Sequence, residues 1–142
     1  MSSNSQAIDE FNFNITEIEI LENGNKFIGT NRGKITTSDG VEIEADEFVY
    51  IKDINLLNAN GNIKIIDKIE NYLIFTENLI YKKNENIILT KNNSRAISPK
   101  DKIEILANEF EYDRSKNIIY AKKNVIIEDK IEDYKIYSEF AT

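Results

Sequence analysis

The chain has 142 residues, 41% hydrophobic and 30% charged, with no cysteine and no histidine. That length and composition suit a folded protein with one substantial core. They exclude disulfides, thiolate metal sites and histidine-based acid–base or metal chemistry. The net charge of −7 argues against a nucleic-acid partner, whose phosphates draw basic faces, and no run approaches the ~18 apolar residues of a membrane-spanning helix.

The opening MSSNSQAIDE is polar and lacks the apolar stretch of a signal peptide. It reads as a loose leader over 1–10, natural or an expression remnant. From 11 to 142 we expect a single domain built from one repeated unit. Ala45, Thr76, Ala107 and Ser138 mark equivalent positions at intervals of 31 residues, and a period of that size dictates the architecture. A degenerate first copy runs from Phe13 to Gly40. Full copies cover Val41 to Asn71, Tyr72 to Lys102 and Ile103 to Asp133, and a fifth opens at Tyr134 and breaks off inside a strand.

Each copy carries two stretches of period-two alternation, the mark of strands with one buried face. In the second copy Val41, Ile43 and Ala45 alternate with Glu42, Glu44 and Asp46. After Asp46 and Glu47 the phase slips, so that Phe48 and Tyr50 become the apolar pair. The fourth copy slips in the same place, with Ile105 and Ala107 before Asn108 and Phe110 and Tyr112 after it. A recurring slip predicts a bulge or bend that carries a strand from one sheet to another. The turns LENGN, IKDIN, KKNEN and DRSKN all end in asparagine, at 25, 55, 86 and 117, a residue that tolerates left-handed backbone. A second asparagine recurs at 62, 93 and 124, either as a side-chain ladder or as a local kink. Pro99, the only proline, falls between the third and fourth copies. About four and a half two-strand repeats thus give roughly nine strands and an all-β, elongated two-sheet roll, since lone hairpins cannot bury their apolar faces.

The phrases IEADEFVY (43–50) and ILANEFEY (105–112), followed by LNANGNIKI (57–65) and IYAKKNVII (119–127), resemble the OstA-like repeat. That family comprises the periplasmic lipopolysaccharide-transport proteins LptA and LptC and the N-terminal domain of LptD. The resemblance implies an open β-jellyroll that holds the acyl chains of lipid A between its sheets. It also implies edge-strand stacking with homologous jellyroll domains and a periplasmic location. Breaking off mid-strand makes the chain most like a truncated LptD N-terminal domain, attached to an outer-membrane protein in its parent.

The inward positions are then the lipid-groove candidates. On the first strand of each copy they are Ile43, Ala45, Ile74, Thr76, Ile105 and Ala107. On the second strand they are Leu57, Ala59, Ile63, Ile65, Thr90, Ile119, Ala121, Val125 and Ile127. Eight matching positions are small: Ala45, Thr76, Ala107 and Ser138, and Gly29, Ala59, Thr90 and Ala121. Small residues serve equally for close approach of two sheets, the rule in packed interiors, or for a channel, which the family resemblance favours. The clustered acids Glu42, Glu44, Asp46 and Glu47, and Glu128, Asp129, Glu132 and Asp133, read as a solvated outer face rather than a calcium or glycosidase site. No nucleophile has a histidine base available, so no enzyme, cofactor or metal is expected. The series Phe48, Tyr50, Tyr81, Phe110 and Tyr112 reads as a stacked core ladder. The rival to the carrier is a structural stalk with a filled core.

Overall fold

A computed structural model of the protein describes residues 11–129 in full and 134–141 as backbone. The expected loose leader and the acids Glu132 and Asp133 lie outside the described residues. The strands are β1 (Phe11–Asn14), β2 (Glu17–Leu21), β3 (Lys26–Thr30), β4 (Gly33–Thr37), β5 (Val41–Ala45), β6 (Glu47–Ile51), β7 (Leu56–Asp67), β8 (Tyr72–Lys82), β9 (Ile87–Ser98), β10 (Ile103–Asp113), β11 (Ile118–Asp129) and β12 (Tyr134–Ala141). One 3-10 turn, Glu22–Gly24, is the only helical element among the described residues.

All pairings are antiparallel, in the order β1-β4-β5-β7-β8-β9-β10-β11-β12, with β2, β3 and β6 forming a branch that joins at β7. The branch follows from bending. Each long strand is interrupted midway, as between Asn60 and Ile63 in β7 and between Leu106 and Glu109 in β10. The pairs β1/β2, β3/β4 and β5/β6 are strands fully broken at the same level. Counted so, twelve segments are nine bent strands, the number the repeats predict. Each strand runs half its length in one leaf and half in the other. The first leaf holds β2, β3, β6 and the segments 56–60, 78–82, 87–91, 109–113 and 118–122. The second holds β1, β4, β5 and the segments 63–67, 72–76, 94–98, 103–107 and 125–129.

Left-handed backbone makes the corners on alternate strands. Asn31 and Arg32, Gly61 and Asn62, Asn92 and Asn93, and Lys123 and Asn124 all have positive φ, a conformation that asparagine and glycine bear most easily. The recurring asparagine at 62, 93 and 124 is therefore a kink. The side-chain ladder is made by other residues, Asn92 donating to Asn78 at 2.6 Å and Asn78 to Asn60 at 2.7 Å. At Gly61 (φ 86°) a Cβ would also meet the Asp46 carboxylate at 2.6 Å, so glycine fits there with the least displacement.

Turns close the opposite side of both leaves. Asn55, Asn86 and Asn117 are left-handed (φ 51°, 57° and 55°), as expected. Asn25 is not, because the 3-10 turn places Asn23 and Gly24 there instead. The second leaf has its own left-handed series at Gly40, Asn71 and Lys102. It keeps the 31-residue interval through three different residue types.

Candidate functional site

The interior lies between the leaves. Of the sequence-predicted groove residues, Ile43, Ala45, Leu57, Ala59, Ile63, Ile65, Ile74, Thr76, Thr90, Ala107, Ala121 and Val125 are buried on the inner faces. Ile105, Ile119 and Ile127 pack against the same core but are half-buried. Their counterparts one and two copies earlier, such as Ile74 and Ile43, are closed. The interior thus loosens toward the last copies.

The small residues have large neighbours. Reading across the first leaf, Phe48 pairs with Ala59, Ala59 with Leu79, Leu79 with Thr90, Thr90 with Phe110 and Phe110 with Ala121. Large and small alternate, so each alanine or threonine is flanked by a side chain that fills its space. Ala59 itself is fully closed to solvent. At the bend between the leaves Thr76 and Ser94 of the second leaf and Thr90 of the first form a buried hydroxyl chain, with Thr76 Oγ1 3.1 Å from Ser94 Oγ and Ser94 Oγ 2.8 Å from Thr90 Oγ1. Thr90 Oγ1 accepts the Phe110 amide and Ser94 Oγ donates to the Asn108 carbonyl. The hydroxyls therefore satisfy backbone groups that the bulges release from the ladder.

The first copies are filled by rings. Phe11 meets Tyr50 at 5.2 Å and Tyr81 at 5.6 Å, both edge-on, while Phe13 stacks on Phe27 at 6.0 Å. The expected aromatic ladder is corrected here. Phe48, Tyr50, Tyr81, Phe110 and Tyr112 are all buried, but the tyrosines meet rings from the opposite leaf, as Tyr112 meets Tyr72 at 5.7 Å. Bulge-separated strands carry these positions into a face-to-face packing, where edge-on contacts are favoured.

The outward acids are less free than a solvated face implies. Arg32 pairs with Asp46 at 3.0 Å, and Lys34 and Lys68 both pair with Glu42. These are cross-strand pairs of the ordinary kind. No group of three His, Cys, Asp or Glu residues arranged to hold a metal occurs among the described residues.

What sequence reasoning missed is the seam where the two sets of turns meet. Along one side every strand crosses between the leaves through a corner. Along the other, a cluster of side chains bridges them. Arg114, in a first-leaf turn, donates from Nε to Asp67 Oδ2 at 2.9 Å and from Nη1 to Asp39 Oδ2 at 2.7 Å. Its other guanidinium nitrogen reaches the Asp39 carbonyl, and Nη1 also meets Tyr81 Oη and Asn86 Oδ1. Lys83 adds a second cation to Asp39 at 3.0 Å. Tyr112 Oη donates to Asp67 Oδ2 at 2.8 Å, and the amides of Ile69 and Glu70 serve Asp67 Oδ1. The side chains of Arg114 and Asp67 are only 7% and 1% exposed.

Burial by itself raises the Asp67 carboxyl, but the Glu70 amide, Tyr112 hydroxyl and Arg114 guanidinium outweigh it and hold the group below the usual carboxylate range. Burial likewise opposes ionisation of Asp39, and the bonds from Thr37, Arg114 and Lys83 hold it well below that range. Burial and the Asp67 charge push the Tyr112 hydroxyl up, keeping it a donor. A partial signal lies in two columns at the repeat interval, Lys52, Lys83 and Arg114 on one margin and Asp39, Glu70 and Asp101 on the other, while the central Asp67 stands in neither.

No family model matches the chain, and no curated relative matches it. Among solved structures it is similar to LptH of Pseudomonas aeruginosa, described as the LptA-homologous periplasmic component of the lipopolysaccharide transport device. The two superpose with a TM-score of 0.72 at 11% identity, over 81% of this chain and 85% of that one. The fold is thus the LptA-like elongated β-jellyroll.

Proposed function

We propose that this chain is a periplasmic carrier module that holds the acyl chains of lipopolysaccharide between its two leaves, without catalysing a reaction. The observation that carries the reading is the shared jellyroll with LptH over most of both chains. It is supported by inner rows that are mostly apolar from Ile35 to Val125, interrupted by the buried hydroxyls of Thr76, Thr90 and Ser94. Within that reading the groove residues are the candidates named above, with Ile105, Ile119 and Ile127 nearest to open space. The parent is an LptD-like assembly protein whose N-terminal domain this is, and homologous jellyrolls dock by edge-strand pairing. The strand β2 supports that docking. It pairs only with β3 among the described strands, and it exposes Ile18 and Ile20, an unprotected edge of the kind that accepts another strand.

One observation favours the rival stalk: the alternating large and small side chains of the first leaf leave no open lengthwise channel beside Ala59. A carrier with this interior takes up lipid only when its leaves part.

The test uses benzoylphenylalanine in place of Ile119 or Ile127, in cells that make lipopolysaccharide. Photocrosslinking is expected to add lipopolysaccharide to the protein band at both sites, and not at Lys52 on the outside. Folded protein that captures no lipid at either inner site overturns the carrier reading in favour of the stalk.

A further inference from the structure

We infer that the Asp39–Lys83–Arg114–Asp67 cluster is a latch, and that the seam it closes is the side entrance through which an apolar chain reaches the interior. The inference rests on the carrier reading and specifies its route. Three observations carry it. First, the two margins are held differently. On the corner side each long strand runs continuously from leaf to leaf, so the leaves cannot separate there without breaking the chain's own path. On the seam side, every described hydrogen bond between Asp39 or Asp67 and the first leaf is made by a side chain of Tyr112, Lys83 or Arg114. Parting the seam therefore breaks no strand ladder.

Second, the end formed by the first copies is obstructed, since Phe11, Phe13, Phe27 and Tyr50 close on one another at 5.2 to 6.0 Å. Third, the latch is seated beside the ladder that orients it. The amides of Lys83 and Arg114 donate to the carbonyls of Asn55 and Asn86 in the preceding turns, at 3.2 and 3.0 Å. Each cation is thus fixed at its root and free only along its stem. Arg114 is the one residue that ties both acidic turns to the first leaf, with Lys83 as a second tie on Asp39 and Tyr112 as a second tie on Asp67, so its release weakens the seam at both turns together. An acyl chain contacts the inner rows only when the leaves are apart, which is the difference in affinity that a ligand needs to shift a closed state to an open one.

The chain has no cysteine, so the latch can be locked from outside. Ser38 and Ser115 are exposed and adjoin Asp39 and Arg114. The variant Ser38→Cys/Ser115→Cys, bridged by a short bis-maleimide, keeps all four latch residues and ties the two margins. Uptake of fluorophore-labelled dodecanoic acid is followed by stopped flow in bridged and unbridged protein. Because uptake follows the open fraction, bridging should slow it by about tenfold or more, while Arg114→Met should speed it. Uptake at the same rate with and without the bridge overturns the side entrance but leaves the carrier intact, with loading from an end. No uptake in any form overturns the carrier reading and the entrance with it. A cysteine pair that no bis-maleimide joins shows the turns apart in solution and overturns the latch. The bridged comparison stands even where Arg114→Met fails to fold.

Discussion

Removing Arg114 tests the seam as a stabilising element independently of any ligand. Arg114→Met keeps much of the apolar stem and deletes the charge that two carboxylates share. Taking one partner from a buried ion pair costs about 3–5 kcal/mol, since the remaining charge is stranded. The structure places the cost toward the lower end. Asp67 keeps three donors, Tyr112 Oη and the amides of Ile69 and Glu70, and the 40% exposed side chain of Asp39 keeps Lys83 and water. A loss of about 3 kcal/mol is a large share of the ~5–15 kcal/mol available to a domain. With a urea dependence of roughly 1.5 kcal/mol per molar, the unfolding midpoint should fall by about 2 M. The control is Lys52→Met, the exposed member of the same column, which should stay within about 0.5 kcal/mol of the parent. Asp67→Asn and the double variant complete a cycle whose coupling should lie between about 0.5 and 3 kcal/mol. Equal midpoints for Arg114→Met and Lys52→Met, or a cycle without coupling, would refute the latch.

Ala59→Leu should lower stability by about 1–3 kcal/mol, read from a melting curve, because Phe48 and Leu79 already fill the space beside it. At the corner, Asn93→Ala should cost about 1 kcal/mol more than Asn93→Gly in urea titration, the difference being the left-handed backbone (φ 56°). The seam carboxylates are held below their ordinary range, so their contribution is complete above the unfolded-state value of ~3.9 and is lost as pH falls through the folded values. Spin labels at Ser38 and Ser115 should therefore keep one separation between about pH 8 and 5 and move apart only below about pH 4; separation at neutral pH would contradict the assignment.

The bends and faces were legible because they act through spacing. Period-two alternation fixed which side of each strand turns inward, and the slip beside Asp46 and Asn108 located the break between leaves. The asparagines at 55, 86 and 117 announced left-handed turns because asparagine bears that backbone. The matching series at Gly40, Asn71 and Lys102 was hidden by chemistry, since lysine carries no such signal and the conformation there is imposed by its hairpin. The seam was hidden for a different reason. A repeat reveals which residues are equivalent, but not how far one leaf slides against the other. Asp39 meets Lys83 and Arg114, in later copies than its own, and that stagger is set by the twist of the paired strands. Asp39 and Asp67 drew no reading of their own because alternation says in or out, whereas a margin between two leaves is neither.

This jellyroll is closed by side chains on one margin, and the strength of that closure bears on which molecules can open it. On the entrance proposed above, an incoming chain must offset the free energy of parting the latch, which is smaller than the cost of deleting Arg114 because the separated charges regain water. Each buried methylene returns about 0.8 kcal/mol, so the number of methylenes needed before any gain in affinity appears rises with the strength of the latch. Short chains should therefore bind too weakly to open the seam, and longer ones should bind with affinity rising per carbon. A series from hexanoic to tetradecanoic acid, titrated against the unlocked protein, should show this onset. Arg114→Met, if folded, should move the onset to shorter chains, because part of the opposing term is gone. An onset that stays at the same chain length in Arg114→Met would mean that the latch does not oppose entry, whatever it contributes to stability.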